Sequence, residues 1–405
     1  RQPPVVGEIA AGLILGPLFF GHYFPAAFAF LFSGSPHNLE SVSTIGLVLF
    51  LFLTGAELNV GVLRQGRGST LVITIASIAV PFSLGAIFSH TLRWAMKLQA
   101  VSPLGFLLFT GIAMSISALP VLARIIQDRK RIGRELPAKV VSTTLVCAAA
   151  NDVIAWALLA IAVAITRRHR LNSSFAATSL DLLIVVAFAL FMLFVVRPIA
   201  ARLLASPARR NPYYWIPAAA ALAFASARLT NALGVHAFLG AFLAGLCVPA
   251  WNGEAPELAQ SFERVLNPII KFTLPVFFVL TGLQMNPDIF HRHCLSWFAF
   301  VLAIAVIGKI GGTIIAARLT GNRWSIASQI AILLNTRGLV ELIVLNVGLR
   351  RGVLNQELFS IMVLMALVTT AMTVPLLDLT DRIRTRRHRI ASPNQSSREA
   401  ARTAA

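Results

Sequence analysis

The residues best placed to do chemistry are Asn151 and Asp152, adjacent near the middle of an apolar stretch that covers residues 140–165. An ionised carboxylate at the centre of a bilayer costs about 2.5–3.5 kcal/mol on insertion scales, so it needs a partner or a task. Desolvation draws a buried carboxylate towards its protonated form, and a nearby cation draws it back towards the ionised one. A group held between these pulls takes a proton or a metal cation, but not both at once. If only the loaded forms reorient, that competition is enough to produce exchange. Asn151 does not titrate, and its side-chain oxygen is a hard ligand suited to an alkali cation. The structural alternative is an Asp that caps or hydrogen-bonds a neighbouring broken helix.

Other polar residues lie in comparable surroundings. Ser115 and Ser117 could lend hydroxyl and backbone oxygens to the same cation, although Ser in a membrane helix also bonds back to its own backbone. Lys309, in Ile-Gly-Lys-Ile-Gly-Gly, is the cation of a second apolar stretch and the expected charge partner of the site. It reads equally well as a proton carrier and as a structural counter-ion. Arg337 and Glu341 are four residues apart, so an intact helix would put them on one face as a mutually neutralising structural pair. Glu8 and Glu57 fall near the ends of apolar stretches, where structural roles are expected. There is no His-Glu-x-x-His pair, no Walker loop and no Gly-x-Ser-x-Gly elbow, so neither an enzyme nor a resident metal or cofactor is expected. The three cysteines, Cys147, Cys247 and Cys294, lack metal-ligand spacing and read as free thiols.

The elements that must position these groups are membrane helices. The chain is 57% hydrophobic and 13% charged, too little charge to cover a soluble surface at 405 residues. Its apolar runs reach the ~20 residues of a spanning helix and lack the alternation of a membrane barrel. Twelve spans are expected, near residues 5–20, 42–57, 71–92, 104–126, 137–166, 180–204, 213–227, 234–249, 266–283, 296–319, 326–348 and 358–379. The segment 21–41 reads as the longest connection.

The net charge of +19 is distributed unevenly. With alternate loops on alternate sides, most Lys and Arg share the side of Arg64, Arg129, Arg134, Arg209 and the C-terminal tail. That bias makes this side, and the C-terminus, cytoplasmic. The basic run from Arg382 to Arg389 reads as a lipid-headgroup anchor. Nucleic acid is not an expected partner, because no binding fold or aromatic interleaving accompanies the charge. Residues 1–381 therefore read as one transmembrane domain and 382–405 as a basic, disordered cytoplasmic tail.

The chain repeats itself. Leu51-Phe-Leu-Thr-Gly-Ala-Glu-Leu-Asn59 lines up with Phe278-Val-Leu-Thr-Gly-Leu-Gln-Met-Asn286. Gly7 and Gly12 match Gly240 and Gly245 at nearly the same offset. Two related halves follow, without a decision on their relative orientation. Each half also carries a span that is hard to keep helical: Gly111, Ser115, Ser117 and Pro120 in one, Asn335, Thr336, Arg337 and Gly338 in the other. Discontinuous helices of this kind expose carbonyls and helix ends near the midplane of carriers.

At these residues the chain resembles the monovalent cation:proton antiporter-2 family, which includes the plant-type cation/H+ exchangers and shares the Na+/H+ exchanger membrane domain. The matching strings are Gln2 to Pro17 (Gln-Pro-Pro-Val-Val-Gly-Glu-Ile-Ala-Ala-Gly-Leu-Ile-Leu-Gly-Pro), Leu119 to Arg124, Asn151 to Trp156, Gly308 to Thr313 and Asn335 to Asn346. The resemblance implies an all-helical inverted-repeat fold with two crossed, discontinuous helices, and a core that moves like an elevator against a dimerisation domain. It implies one more helix before Gln2, making thirteen spans, a homodimer, and Asp152 as the shared cation and proton site. The expected setting is a bacterial inner membrane. Many relatives have two adjacent carboxylates where this chain has Asn151-Asp152, with the counterpart of Lys309 paired to the first. The plant-type members also carry a large soluble region that has no match here. The expected function is a secondary-active antiporter exchanging K+ or Na+ for H+. The competing expectations are a channel-like protein, a Na+-coupled solute carrier on the same scaffold, and an inactive truncated product.

Overall fold

Every regular element is helical in the computed structural model, which describes residues 4–17, 19–32, 36–57, 68–171, 175–205, 211–233, 236–248 and 256–391. The first half comprises α1 (Pro4–Leu15), α2 (Pro36–Glu57), α3 (Gly68–Ala95), α4 (Pro103–Ser115), α5 (Leu119–Arg131) and α6 (Ala138–Leu171). Next come α7 (Phe175–Phe191, continued through a π turn into Arg197–Ala205) and α8 (Pro212–Ala232). The second half comprises α9 (Ala237–Leu246), α10 (Pro256–Leu283), α11 (Arg292–Leu319), α12 (Trp324–Leu334), α13 (Leu339–Arg350), α14 (Gln356–Ala371) and α15 (Thr373–Ala391). Local chemistry sets many of the starts. Pro103 follows Ser102, whose Oγ accepts from Gly105 N at 3.3 Å, and Asn355 caps α14 by accepting from Leu358 N at 2.9 Å.

Nine helices among the described residues are long and apolar enough to cross a membrane, and the bent pair α12–α13 adds a tenth. Of the twelve expected spans, α8 and α9 are the two outside that set. The ten residues of α9 reach only about 15 Å, half of the ~30 Å hydrocarbon core. The polarity is that of a lipid-facing protein: Phe194, Phe272 and Leu319 point outwards, whereas Asp152, Lys309, Arg337 and Glu341 are fully buried.

Two stretches are more helical than expected. The segment read as a connection holds short helices at Phe20–Tyr23 and Pro25–Phe32, and α2 already starts at Pro36. Both prolines open a helix, the position where the missing N–H costs least. At the other end α15 runs to Ala391, ten residues into the stretch expected to be disordered. A helix nucleated by packing at Thr373 propagates readily through arginines, which are good helix formers. Residues 392–405 lie outside those described, as do Asn59, Arg64 and Arg209.

The repeat is visible in the packing. A Cβ on Gly12 of α1 would strike the Phe278 carbonyl of α10, and one on Gly282 of α10 would strike the Gly12 carbonyl. The counterparts do the same: Gly245 of α9 meets the Phe52 carbonyl of α2, and Gly55 of α2 meets the Phe242 carbonyl of α9. The first helix of each half therefore packs on the second helix of the other half. Only glycine allows backbones to approach so closely. Gly46 packs on the Thr273 side chain, its own counterpart in the repeat, which places a pseudo-twofold axis between α2 and α10. Gly12 meets the Phe278 carbonyl and Gly16 the Gly282 carbonyl, so α1 and α10 run in the same direction.

Candidate functional site

The two interrupted spans cross at their breaks. Ser117 Oγ donates to the Leu334 carbonyl at 2.6 Å, and Ala118 N donates to the Thr336 carbonyl at 3.0 Å. Gly338 makes the approach possible, because a Cβ there would lie 2.8 Å from Val121 Cγ2 and 3.0 Å from Ala118 Cβ. Four helix ends thus meet inside the protein. The C-termini of α4 and α12 carry partial negative charge, and the N-termini of α5 and α13 carry partial positive charge.

The last carbonyls of α4 have no helical donors beyond Ser115, and the second half supplies cations for them. Arg337 donates to the Ala113 carbonyl, and to the Met114 carbonyl at 2.9 Å. Lys309 donates to the Ser115 carbonyl. The other acceptor of Lys309 is the Ser77 carbonyl of α3, at 2.9 Å. That oxygen is available because the residue four further on is Pro81, which has no N–H to close the helical bond. Lys309 itself sits in a π turn, Ile307–Gly311, a local widening often found at functional sites.

Glu341 lies in the first turn of α13, where a carboxylate is favoured, and pairs with Arg337 at 2.9 Å with both side chains fully buried. Thr370 of α14 closes the loop, accepting from Arg337 N at 2.9 Å and donating to the Arg337 carbonyl at 2.8 Å.

Asp152 stands apart from these networks. It is fully buried on α6, and neither of its oxygens closes a hydrogen bond of normal geometry. The amide of Leu119, at the positive start of α5, and the Lys309 ammonium lie within electrostatic reach. Lys309 forms no ion pair with it; both of the ammonium's bonds go to carbonyls. Asn151, beside it, donates to Ser117 Oγ at 3.0 Å, which ties α6 to the crossing point. A buried carboxylate with no hydrogen bond of normal geometry, next to opposed helix ends, is a place where a cation or a proton can be held.

The two serines differ. Ser117 is bonded on both sides, accepting from Asn151 and donating to Leu334. Ser115 turns its hydroxyl back to the Ile112 carbonyl at 3.0 Å and gives its own carbonyl to Lys309. Its oxygens therefore already serve the protein. Ser77, Pro81 and Thr313 are not singled out by the sequence as site residues, and Asn335 is read there only as part of the interrupted span. The Ser77/Pro81 spacing is a readable signal for a free carbonyl. Asn335 at the end of α12 and Thr313, one turn beyond Lys309, hold buried polar atoms without partners. Their polarity inside apolar runs was the available sign.

A cavity of about 330 Å³ opens between α2, α8 and α10 on one side and α13 on the other. Glu40, Arg228, His236, Asn346 and Arg350 line it, and Arg350 pairs with Glu40 at 3.3 Å. His236 also borders a narrow gap shared with Trp156, one helical turn from Asp152. On the opposite face, Arg129 of α5 is almost completely buried between Asp378, at 2.6 Å, and Asp381 of α15.

The profile described as "Sodium/hydrogen exchanger, transmembrane" matches residues 1–379. The Na(+)/H(+) antiporter NhaS4 of Synechocystis sp. is 35% identical over 386 residues, covering 93% of this chain and 90% of the relative. Cation/H(+) antiporter 17 of Arabidopsis thaliana is 37% identical over 93% of this chain, which spans only 45% of that relative's length. Among solved structures, the sodium proton antiporter MjNhaP1 from Methanocaldococcus jannaschii at pH 8 superposes with a TM-score of 0.66. At 14% identity, over 93% of this chain and 92% of that one, the likeness is one of fold.

Proposed function

Because the chain belongs to the sodium/hydrogen exchanger transmembrane family, we propose that it is a secondary-active antiporter that exchanges Na+ or K+ for H+ across a lipid bilayer. Asp152 is its shared binding group. One observation carries the reading: a fully buried carboxylate, neither oxygen in a hydrogen bond of normal geometry, beside the crossing of two broken helices.

The mechanism follows from what each residue does. Arg337 and Lys309 satisfy the end of α4 and keep the break open without occupying the carboxylate. Asp152 then holds a proton or a dehydrated alkali cation, and the Asn151 oxygen, outside the bond that its amide makes to Ser117, is a second hard ligand. Neutralising the carboxylate by either ligand lowers the cost of carrying it through an apolar environment, so the loaded forms reorient and the empty anion does not. The cavity beside α13 is the access route on one face, with Trp156 and His236 between it and the site.

The basic face, the C-terminus and the run from Arg382 to Arg389 are assigned to the cytoplasm, with that run at the lipid headgroups. Residues 1–381 act as the exchanger domain and 382–405 as its basic tail. The protein works as a homodimer in a bacterial inner membrane. A pH-sensitive dye inside proteoliposomes tests the reading. An outward or inward Na+ or K+ gradient is expected to drive opposite proton movement, and cation current without proton movement would instead indicate a channel.

A further inference from the structure

Away from the exchange site, three residues with metal-binding side chains converge where α11 and α14 begin. His293 and Cys294 occupy the first turn of α11, and Glu357 the first turn of α14. Their ligand atoms all lie within 4.8 Å of one another. Glu357 Oε1 is 3.2 Å from Cys294 Sγ and 3.4 Å from His293 Nδ1. In a tetrahedral zinc site with ordinary bond lengths, the sulfur–oxygen and nitrogen–oxygen separations would be about 3.6 and 3.4 Å. The nitrogen–oxygen pair already stands at that spacing, the sulfur–oxygen pair is a few tenths of an ångström short of it, and sulfur and nitrogen lie within 4.8 Å of each other.

We propose that His293, Cys294 and Glu357 form a binding site for a borderline-soft divalent cation such as Zn2+, with a fourth position open to solvent. The donor set of imidazole, thiolate and carboxylate selects against Na+, K+ and Mg2+, which favour oxygen alone. Cys294 is buried and Glu357 half-buried, whereas His293 is exposed, so an ion reaches the site from one side. Without metal the same atoms form a hydrogen-bonded cluster, in which Trp297 Nε1 donates to His293 Nε2 at 3.3 Å. Ligation through Nδ1 requires the proton on Nε2, so the Trp297 bond is given up. Trp297 stands at the exposed end of the helix, and water can replace that bond. A bound ion would tie the start of α11, the helix that carries Lys309, to the start of α14. These two helices precede and follow the broken pair α12–α13.

The test uses the full chain in detergent, with Zn2+ competed against a chromophoric chelator and Cd2+ as a spectroscopic probe of thiolate ligation. One ion per chain is expected, with a Cd2+–thiolate absorption band that Cys294→Ala removes. His293→Ala and Glu357→Gln should each weaken Zn2+ binding at least about tenfold. His293 is exposed, so its variant is expected to fold normally. The proposal is overturned if the unaltered protein shows no thiolate band, if the band survives Cys294→Ala, or if the His293 and Glu357 variants bind Zn2+ as tightly as the parent. The buried Cys147 and Cys247 are present in every variant and serve as internal controls.

Discussion

The ammonium of Lys309 donates to the Ser77 carbonyl at 2.9 Å, an oxygen left without a helical donor because Pro81 stands four residues later. This pairing answers a question raised by the sequence, in which the position before Asp152 is an amide rather than a second acid. With no carboxylate to pair with there, Lys309 goes to two freed carbonyls, and Asp152 keeps both oxygens available.

Lys309→Gln is therefore expected to preserve exchange with a displaced pH profile, while lowering stability. Each buried carbonyl left without a donor costs about 1–3 kcal/mol. Pro81→Ala restores an N–H to Ser77, so the double variant should lose less stability than the sum of the two single changes. Thermal unfolding in detergent reads the coupling, and strict additivity would contradict the assigned partner.

Arg337→Met should destabilise the protein by about 3–5 kcal/mol, because it leaves the Glu341 charge buried without its partner. Adding Glu341→Gln is expected to recover part of that loss. Arg337→Lys should rescue poorly, since a point charge cannot reach the Ala113 and Met114 carbonyls and Glu341 together. Equal stability of the lysine variant and the parent would show that the forked guanidinium is dispensable.

The repeat makes a paired prediction about glycines. Gly245→Ala and Gly282→Ala each push a methyl group into the backbone of the facing helix and should sharply reduce the yield of monodisperse protein. Gly311→Ala, in the same π turn as Lys309, has no heavy atom within 4 Å of the added carbon and should be tolerated. Comparable behaviour of all three in size-exclusion profiles would argue against the close crossings of α1 with α10 and α2 with α9.

Much of this architecture was legible in the sequence, for physical reasons. Asp152 is conspicuous because charge inside an apolar run is costly, and the two breaks stand out through Pro120, Asn335 and Gly338. The glycine repeat marks two related halves, and the packing shows that the same glycines make the two close crossings. The partners were not legible. That Ser115 would turn its hydroxyl back on α4, or that Arg337 would reach carbonyls of the other half, depends on the crossing of the helices. No local pattern encodes such contacts. The short helices before Pro36 and the extension of α15 to Ala391 do not stand out in the sequence, because prolines punctuate the first stretch and the second is strongly basic, although Ala, Leu and Arg are good helix formers.

The central claim is that Asp152 carries both cation and proton. The most direct measurement is Na+- or K+-driven proton movement in proteoliposomes containing Asp152→Asn, beside the parent at matched protein content. The amide nearly preserves the shape of the side chain but can neither hold a proton nor neutralise a cation, so exchange should fall to the level of empty vesicles. Helix content and elution profile should stay unchanged. Cation-dependent proton movement that persists in a folded Asp152→Asn protein would contradict the account.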